Sequence, residues 1–297
     1  MVAGGLVPAP LLSGVAMAAI FAFMFHLGAT VDAREYRAAW REPSLMAKAL
    51  LCALVAVPLV AVIVARALDL PRAAQVGLVL MAISPGAPIA LRRALRAGGD
   101  TGFAVALQVT LAAASIVSLP ASVAAFDEVF AGEARVDPRE LSMQVFVGQG
   151  MPLLLGLLAR RAAPRALARA EPVLNSLAGI LLAALLGLAL VDVWRPVWQA
   201  GPRVAAAIAV IAACAAALGH ALGGPRQGTR RALAVACGAR NVGLAMAVAG
   251  VNGASEEIQA AIVAYLVVAA LVLTPYVAWQ RRHAGMRVLP AQNTNLP

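Results

Sequence analysis

The chain has few charged or aromatic residues and no long polar stretch. Only 13% of its 297 residues are charged and 5% are aromatic, while 62% are hydrophobic. This composition is too apolar for a water-soluble domain, and the linkers between apolar stretches are too short to hold one. The sequence therefore indicates an integral membrane protein with a single membrane domain over residues 1–297, ending in a polar tail at residues 286–297.

Cysteines and clustered catalytic side chains are also scarce. Cys52, Cys214 and Cys237 all lie in apolar stretches, so they predict no disulfide framework. We find no candidate set of nucleophile and base, and no cluster of metal ligands, of the kind that catalysis requires. The sequence therefore predicts no enzyme, no catalytic residue, no metal site and no cofactor.

The net charge of +10 does not indicate a nucleic-acid partner. A nucleic-acid footprint gathers basic residues on one face together with aromatic side chains for stacking. Here the basic residues are spread over many loops and aromatic residues are few. The expected partners are the lipid bilayer and a small ligand, and the sequence leaves the oligomeric state open.

Nine apolar stretches have the length, about 20 residues, that is needed to cross a bilayer. With the N-terminus outside, seventeen of the 24 Lys and Arg residues lie in inner loops and six lie in outer loops. We therefore predict an all-α protein of the plasma membrane with a cytoplasmic C-terminus. The nine predicted spans are Leu11–Val31, Leu45–Ala65, Ala73–Leu95, Phe103–Phe126, Leu141–Leu158, Val173–Val193, Val204–Leu222, Ala232–Val251 and Ile258–Trp279.

The third and eighth spans contain helix breakers and cross the membrane in opposite directions. The third reads Ser84-Pro85-Gly86-Ala87-Pro88, and the eighth reads Gly238-Ala239-Arg240-Asn241-Val242-Gly243. Paired broken helices in inverted repeats indicate a transporter's binding site near the middle of the bilayer. The alternative is a proline kink in an ordinary helix. We predict two discontinuous helices that cross each other.

Arg240 stands in the middle of the eighth span, which contains no Asp or Glu. A central arginine in a membrane helix costs roughly 2.5–3.5 kcal/mol on insertion scales, so it needs a partner. We predict an organic anion as that partner; the alternative is a structural guanidinium held by backbone carbonyls. The predicted substrate-binding residues are Arg240, Asn241, Gly238, Ser84, Pro85, Gly86, Pro88 and Gln108.

Two histidines lie inside predicted spans. His26 is in the first span and His220 is near the inner end of the seventh. Either residue carries protons or is simply packed between helices, and the sequence does not decide between these two roles.

Four segments, in chain order, resemble the bile acid:sodium symporter family. The segments are Phe21–Gly28 with Trp40–Pro43, Val57–Leu59, Gly77–Leu80 through Ser84–Gly86 to Ala97–Asp100, and Gly238–Ala245. The resemblance implies a core at 45–126 and 204–279 and a panel at 11–31, 141–158 and 173–193. It also implies transport of small or amphipathic organic anions by alternating access, often driven by sodium.

The positions of the family's sodium ligands hold other residues in this chain. Ala90 and Leu91 stand where the family has Ser and Asn, Ala236 replaces a shared Glu, and Arg240 replaces a Gln. Of this set, Asn241 is retained, and Ala53, near the position of a further Gln, supplies no side-chain ligand. We therefore expect that both sodium sites are lost and that Arg240 substitutes for the missing ions.

Two other functions remain open. One is an arsenite-type exporter of the same superfamily, in which Cys237 would contact the metalloid, although Ser84 replaces the companion cysteine of the third span. The other is a membrane sensor that does not transport. The direction of transport and the coupling ion are not determined by the sequence.

Overall fold

The computed structural model describes residues 9–86, 88–126, 129, 137–199 and 201–283. The secondary structure of this part of the chain is entirely helical. We number its helices α1 (Ala9–Thr30), α2 (Ala33–Ala39), α3 (Pro43–Ala67), α4 (Arg72–Ala82), α5 (Pro88–Arg96), α6 (Thr101–Ala125), α7 (Pro138–Ala162), α8 (Pro164–Gln199), α9 (Gly201–Leu222), α10 (Gln227–Gly238), α11 (Val242–Val251) and α12 (Glu256–His283).

Short polar residues define where several of these helices begin. Asp32, Asp100 and Asp137 each precede a helix and accept a hydrogen bond from a backbone N–H of its first turn. Such caps satisfy donors that a helix leaves unpaired at its N-terminus. The helix starts are therefore encoded locally, which is why most predicted spans coincide with helices to within several residues.

Seven of the described helices are long and apolar enough to cross a membrane, and the number becomes eight if α1 and α2, bent by 91°, form one span. The predicted number of nine spans is not confirmed. The reason is the break in the third predicted span, because its halves α4 and α5 have 11 and 9 residues and neither reaches the required length alone. The sixth predicted span also differs, since α8 begins at Pro164 instead of Val173.

Two helices contain a wide π-helical turn just before a proline. In α3 the turn covers Cys52–Ala56, and in α7 it covers Phe146–Gly150. Proline has no N–H to donate, so a proline one turn after a carbonyl leaves that carbonyl without a helical partner. In α3, the N–H of Val57 donates to the carbonyl of Cys52. Pro58 has no N–H that could donate to the carbonyl of Ala53.

The helices pack so that α4 and the broken pair α10 and α11 lie inside. The first span, α1, packs against α7 and α8, while α9 packs against α3, α10 and α12. The pair α10 and α11 is enclosed most completely: 94% of its most apolar 18-residue stretch is buried. The residues on either side of its break are therefore surrounded by protein.

Candidate functional site

The two interruptions predicted from the sequence are present, and they meet. Helix α4 ends at Ala82 and α5 begins at Pro88, while α10 ends at Gly238 and α11 begins at Val242. The backbone N–H of Asn241 donates to the carbonyl of Ser84 over 2.9 Å. This bond joins the two non-helical segments directly. We call the region around it the crossing: residues Ser84–Gly86 and Ala239–Asn241.

Asn241 holds the crossing together with its side chain. Its Oδ1 accepts from Leu244 N–H at 3.1 Å, which caps α11. Its Nδ2 donates to the carbonyl of Gly86 at 3.2 Å and lies 3.4 Å from Oε1 of Gln149. One buried amide therefore starts a helix, satisfies a carbonyl of the opposite break and reaches a third helix, α7.

The guanidinium of Arg240 is surrounded by backbone carbonyl oxygens. Its Nη2 donates to the carbonyl of Ala53 at 3.0 Å and to that of Ala82, and its Nε lies 3.4 Å from the carbonyl oxygen of Met81. Only 2% of Arg240 is exposed. Backbone carbonyls therefore hold this guanidinium, as the alternative to an anion partner expected, and Ala53 contributes through its main chain although its side chain offers no ligand.

Two of these carbonyls, Met81 and Ala82, belong to the end of α4, where a helix has no next turn to supply regular donors. The carbonyl of Met81 also accepts from the N–H of Ser84 at 3.1 Å. The carbonyl of Ala53 is free because Pro58 follows it at the π-helical turn. The helix dipole adds partial negative charge at the end of α4. Arg240 thus lies where two irregular helices create negative potential.

Two donors at or beside the crossing lack a hydrogen-bond partner within the described residues. These are Nη1 of Arg240 and Nε2 of Gln108, both buried. Gln108 lies beside Gly86: a Cβ added to that glycine would come within 3.3 Å of the Gln108 Nε2. Gly86 has a φ of 79°, which favours glycine there. A buried donor without a partner is costly, so both atoms have capacity for an acceptor.

A second polar layer lies behind Asn241. Gln149 Nε2 donates to Ser115 Oγ at 3.0 Å, and Ser115 Oγ donates to the carbonyl of Ala112 at 2.7 Å. Gln149 belongs to the π-helical turn of α7, a kind of turn that is frequent at functional sites. In the sequence, Gln149 is one of several polar residues within the apolar stretches. The π-helical turn that places Gln149 next to Asn241 has no simple sequence pattern.

Two cysteines also meet next to the crossing. The Sγ atoms of Cys52 and Cys237 are 3.5 Å apart, and both residues are fully buried. In the sequence, Ser84 stands where the resemblance would place a companion to Cys237, and no pattern points to Cys52. The structure shows that the neighbouring thiol comes from α3.

Most of the predicted substrate-binding residues are brought together, although no bound ligand tests that role. Ser84, Pro85, Gly86, Arg240 and Asn241 form the crossing, and Gln108 lies next to it. Gly238 ends α10 and its carbonyl accepts a 3.4 Å hydrogen bond from Tyr265. Pro88 is the first residue of α5.

The two histidines lie away from the crossing. His220 Nδ1 is 2.8 Å from the hydroxyl of Tyr276. His26 lines a separate cavity between α1, α7 and α8. Neither position tests whether these residues carry protons.

Comparison with known proteins agrees with the resemblance read from the sequence. Residues 17–195 match the family described as the Sodium Bile acid symporter family. This match covers the first break of the crossing and ends before α9. Among curated proteins, the comparison finds no match. Because the match extends over more than half of its residues, this chain belongs to the sodium bile acid symporter family.

Proposed function

We propose that the protein is a secondary transporter of a small or amphipathic organic anion that works without sodium. The observation that carries this proposal is the buried guanidinium of Arg240, which donates to the carbonyls of Ala53, Met81 and Ala82 and keeps Nη1 without a partner among the described residues. The proposal places the N-terminus outside the plasma membrane and the C-terminus in the cytoplasm, and it assigns no enzymatic activity.

The surroundings of Arg240 support a role as a permanent substitute for a bound cation. Hard cations such as sodium prefer several oxygen ligands, and the ends of broken helices commonly provide them in transporters. At this crossing the oxygens belong to the end of α4 and the turn of α3, and a guanidinium donates to them. A guanidinium does not deprotonate in proteins, so this charge is constant.

The opposite ends of the broken helices suit an anion. Helices α5 and α11 begin at the crossing, and helix N-termini carry partial positive charge and free N–H groups. The unpartnered Nε2 of Gln108 and Nη1 of Arg240 add two donors in the same region. A carboxylate or sulfonate offers acceptors of the kind that these donors lack. This supports recognition of an anion through its headgroup.

Movement of two groups of helices would give alternating access. Contacts of α1 with α7 and α8 support the proposed panel, and contacts between α3 and α9 support the proposed core. Asn241 reaches Gln149 of α7 across this division by a 3.4 Å contact. We propose that this contact forms and breaks as the two groups move relative to each other.

Sodium is expected to leave the thermal stability of the protein unchanged. A cation bound to the native state at 100 times its dissociation constant adds about 2.7 kcal/mol to the free energy of unfolding, which a melting curve readily detects. The measurement compares melting temperatures in sodium chloride and potassium chloride at equal ionic strength. A rise specific to sodium would show that a sodium site is retained.

An arsenite-type exporter is the second candidate, and the thiol pair is the observation that favours it. Thiolates are soft ligands, and the thiols of Cys52 and Cys237, which could supply them, lie 3.5 Å apart beside the break. For an anion transporter we expect Cys237→Ala to take up labelled organic anion as well as the wild type does. Cys214→Ala is the matched control, because Cys214 is exposed and outside the pair. Arsenite efflux that is lost only in Cys237→Ala would support the exporter.

A further inference from the structure

A cavity of about 500 Å³ lies where α1, α7 and α8 separate, and none of the crossing residues lines it. Its volume is within the range, about 300–1,000 Å³, that is typical of small-molecule sites. Its polar lining includes His26, Thr30, Arg160, Arg161 and Glu171. This cavity is unrelated to the thiols and carbonyls described above.

The shape of the cavity follows from glycines in α1 and α7. A Cβ added at Gly28 would overlap the carbonyl of Leu153, and one at Gly156 would overlap the carbonyl of Phe25. The two backbones are therefore in direct contact at this level. Helix α1 ends at Thr30, just after Gly28, and α7 ends at Ala162, less than two turns after Gly156. The chains diverge beyond these ends and leave space.

Positive charge dominates one wall of the cavity. Arg160 is fixed in place, because its Nη1 donates to the carbonyl of Ala29 at 3.0 Å. Arg161 lines the same wall and is exposed. His26 has a buried Nδ1 with no hydrogen-bond partner in the described part of the chain. The charge of Arg92, from α5, is close enough to act on His26.

The rest of the cavity is largely apolar, with one opposing charge. Leu157, Leu167 and Leu174 contribute hydrophobic side chains to the lining. Glu171 contributes a carboxylate, which repels a bound anion and leaves two arginines against one acid. The combination of a cationic wall and a leucine wall favours a ligand with a charged head and an apolar body.

We propose that this cavity binds an amphiphilic anion, with its headgroup at Arg160, Arg161 and His26 and its hydrocarbon part against the leucines. The site is distinct from the crossing and does not depend on transport. A phospholipid with an anionic headgroup and a free fatty acid share this chemistry, since basic pockets between membrane helices accept both phosphate and carboxylate. The two sources are separated by experiment.

The test is a fluorescence titration of the full-length protein in neutral maltoside micelles with dansylaminoundecanoate, a fluorescent fatty acid. The wild type is expected to bind this acid more tightly than the matching uncharged amide. Arg161→Gln removes one charged donor and should weaken binding about tenfold, as loss of one charge-assisted hydrogen bond implies. Arg165→Gln removes the same charge from the exposed start of α8, outside the cavity, and should bind like the wild type.

Glu171→Gln provides a change in the opposite direction, because it removes the repelling charge and should tighten binding severalfold. If Arg161→Gln folds poorly, the affinity of Glu171→Gln for the probe still tests the site. Displacement of the probe by phosphatidylglycerol alone identifies a lipid site, and displacement by laurate alone identifies a site for free amphiphiles. Equal affinity in the wild type, Arg161→Gln and Glu171→Gln, or displacement by neither competitor, would overturn the inference. If the wild type and the variants bind the probe as expected but the wild type transports no organic anion, that result counts against the proposed function and not against this site.

Discussion

Replacement of Arg240 with glutamine is expected to abolish anion transport. Glutamine is shorter and uncharged, so it cannot reach the carbonyls of Ala53, Met81 and Ala82 together. Each buried carbonyl that loses its donor costs about 1–3 kcal/mol, and the positive charge beside the anion is removed. Because Ala236, Ala90 and Leu91 supply no side-chain oxygen, we expect no sodium dependence to return.

Arg240→Lys tests whether the positive charge at this position is sufficient without the planar shape of the guanidinium. Lysine keeps the positive charge but has a compact ammonium in place of the planar fork, so anion binding should weaken while the protein still folds. The measurement is binding of labelled carboxylates and sulfonates to purified protein, together with uptake into vesicles.

Arg231→Gln is the matched control for these variants. Arg231, in α10, is largely buried as Arg240 is. Its Nε donates to Gln280 at 2.9 Å, away from the crossing. We expect this variant to retain anion affinity. If well-folded Arg240→Gln binds the anion as tightly as the wild type, Arg240 has a purely structural role.

Asn241→Ala is expected to be the most destabilising single change of an uncharged residue at the crossing. It removes the cap of α11, worth about 1 kcal/mol, and leaves the carbonyl of Gly86 without its donor, at about 1–3 kcal/mol. The expected loss in the free energy of unfolding is therefore about 2–4 kcal/mol, measured by denaturation in micelles. Asn252→Ala is the control, because Asn252 also bonds by its side chain, to Gln144 and Val248, but is only partly buried.

Asn241→Asp distinguishes the cap from the amide donor. Aspartate accepts from Leu244 N–H as asparagine does, so α11 should still form. It loses the donor to Gly86 and buries a negative charge beside the acceptor oxygens of Gly86 and Gln149, so transport should fail and the protein should be less stable than the wild type although the cap is kept. Equal destabilisation by Asn241→Ala and Asn252→Ala would contradict the central place that we give to Asn241.

The positions of the breaks could be predicted from the sequence because helix termination is a local property. Ser84-Pro85-Gly86 and Gly238 interrupt apolar stretches, and proline and glycine act on the backbone at those same places. Arg240 stood out equally clearly, since an arginine in an apolar span must find partners. The positions of the two breaks were therefore predicted correctly, and the binding role of Arg240 stays a prediction.

The partners of these residues could not be predicted in the same way. Backbone carbonyls were one of the two partners considered for Arg240, but main-chain carbonyls have no sequence signature, so which of them accept could not be predicted, although Pro58 marks a free carbonyl at Ala53. Cys52 and Cys237 are 185 residues apart, and their contact depends on how α3 and α10 pack. The cavity at Arg160 likewise results from the glycine contact of α1 with α7, which involves distant parts of the chain.

Uptake of labelled carboxylates and sulfonates into proteoliposomes, with either an inward sodium gradient or an equal potassium gradient, tests the central claim most directly. If Arg240 permanently occupies the position of a coupling cation, as its carbonyl partners suggest, the two gradients should give the same rate of uptake. Faster uptake with sodium than with potassium, in vesicles of the same membrane potential, would contradict the account.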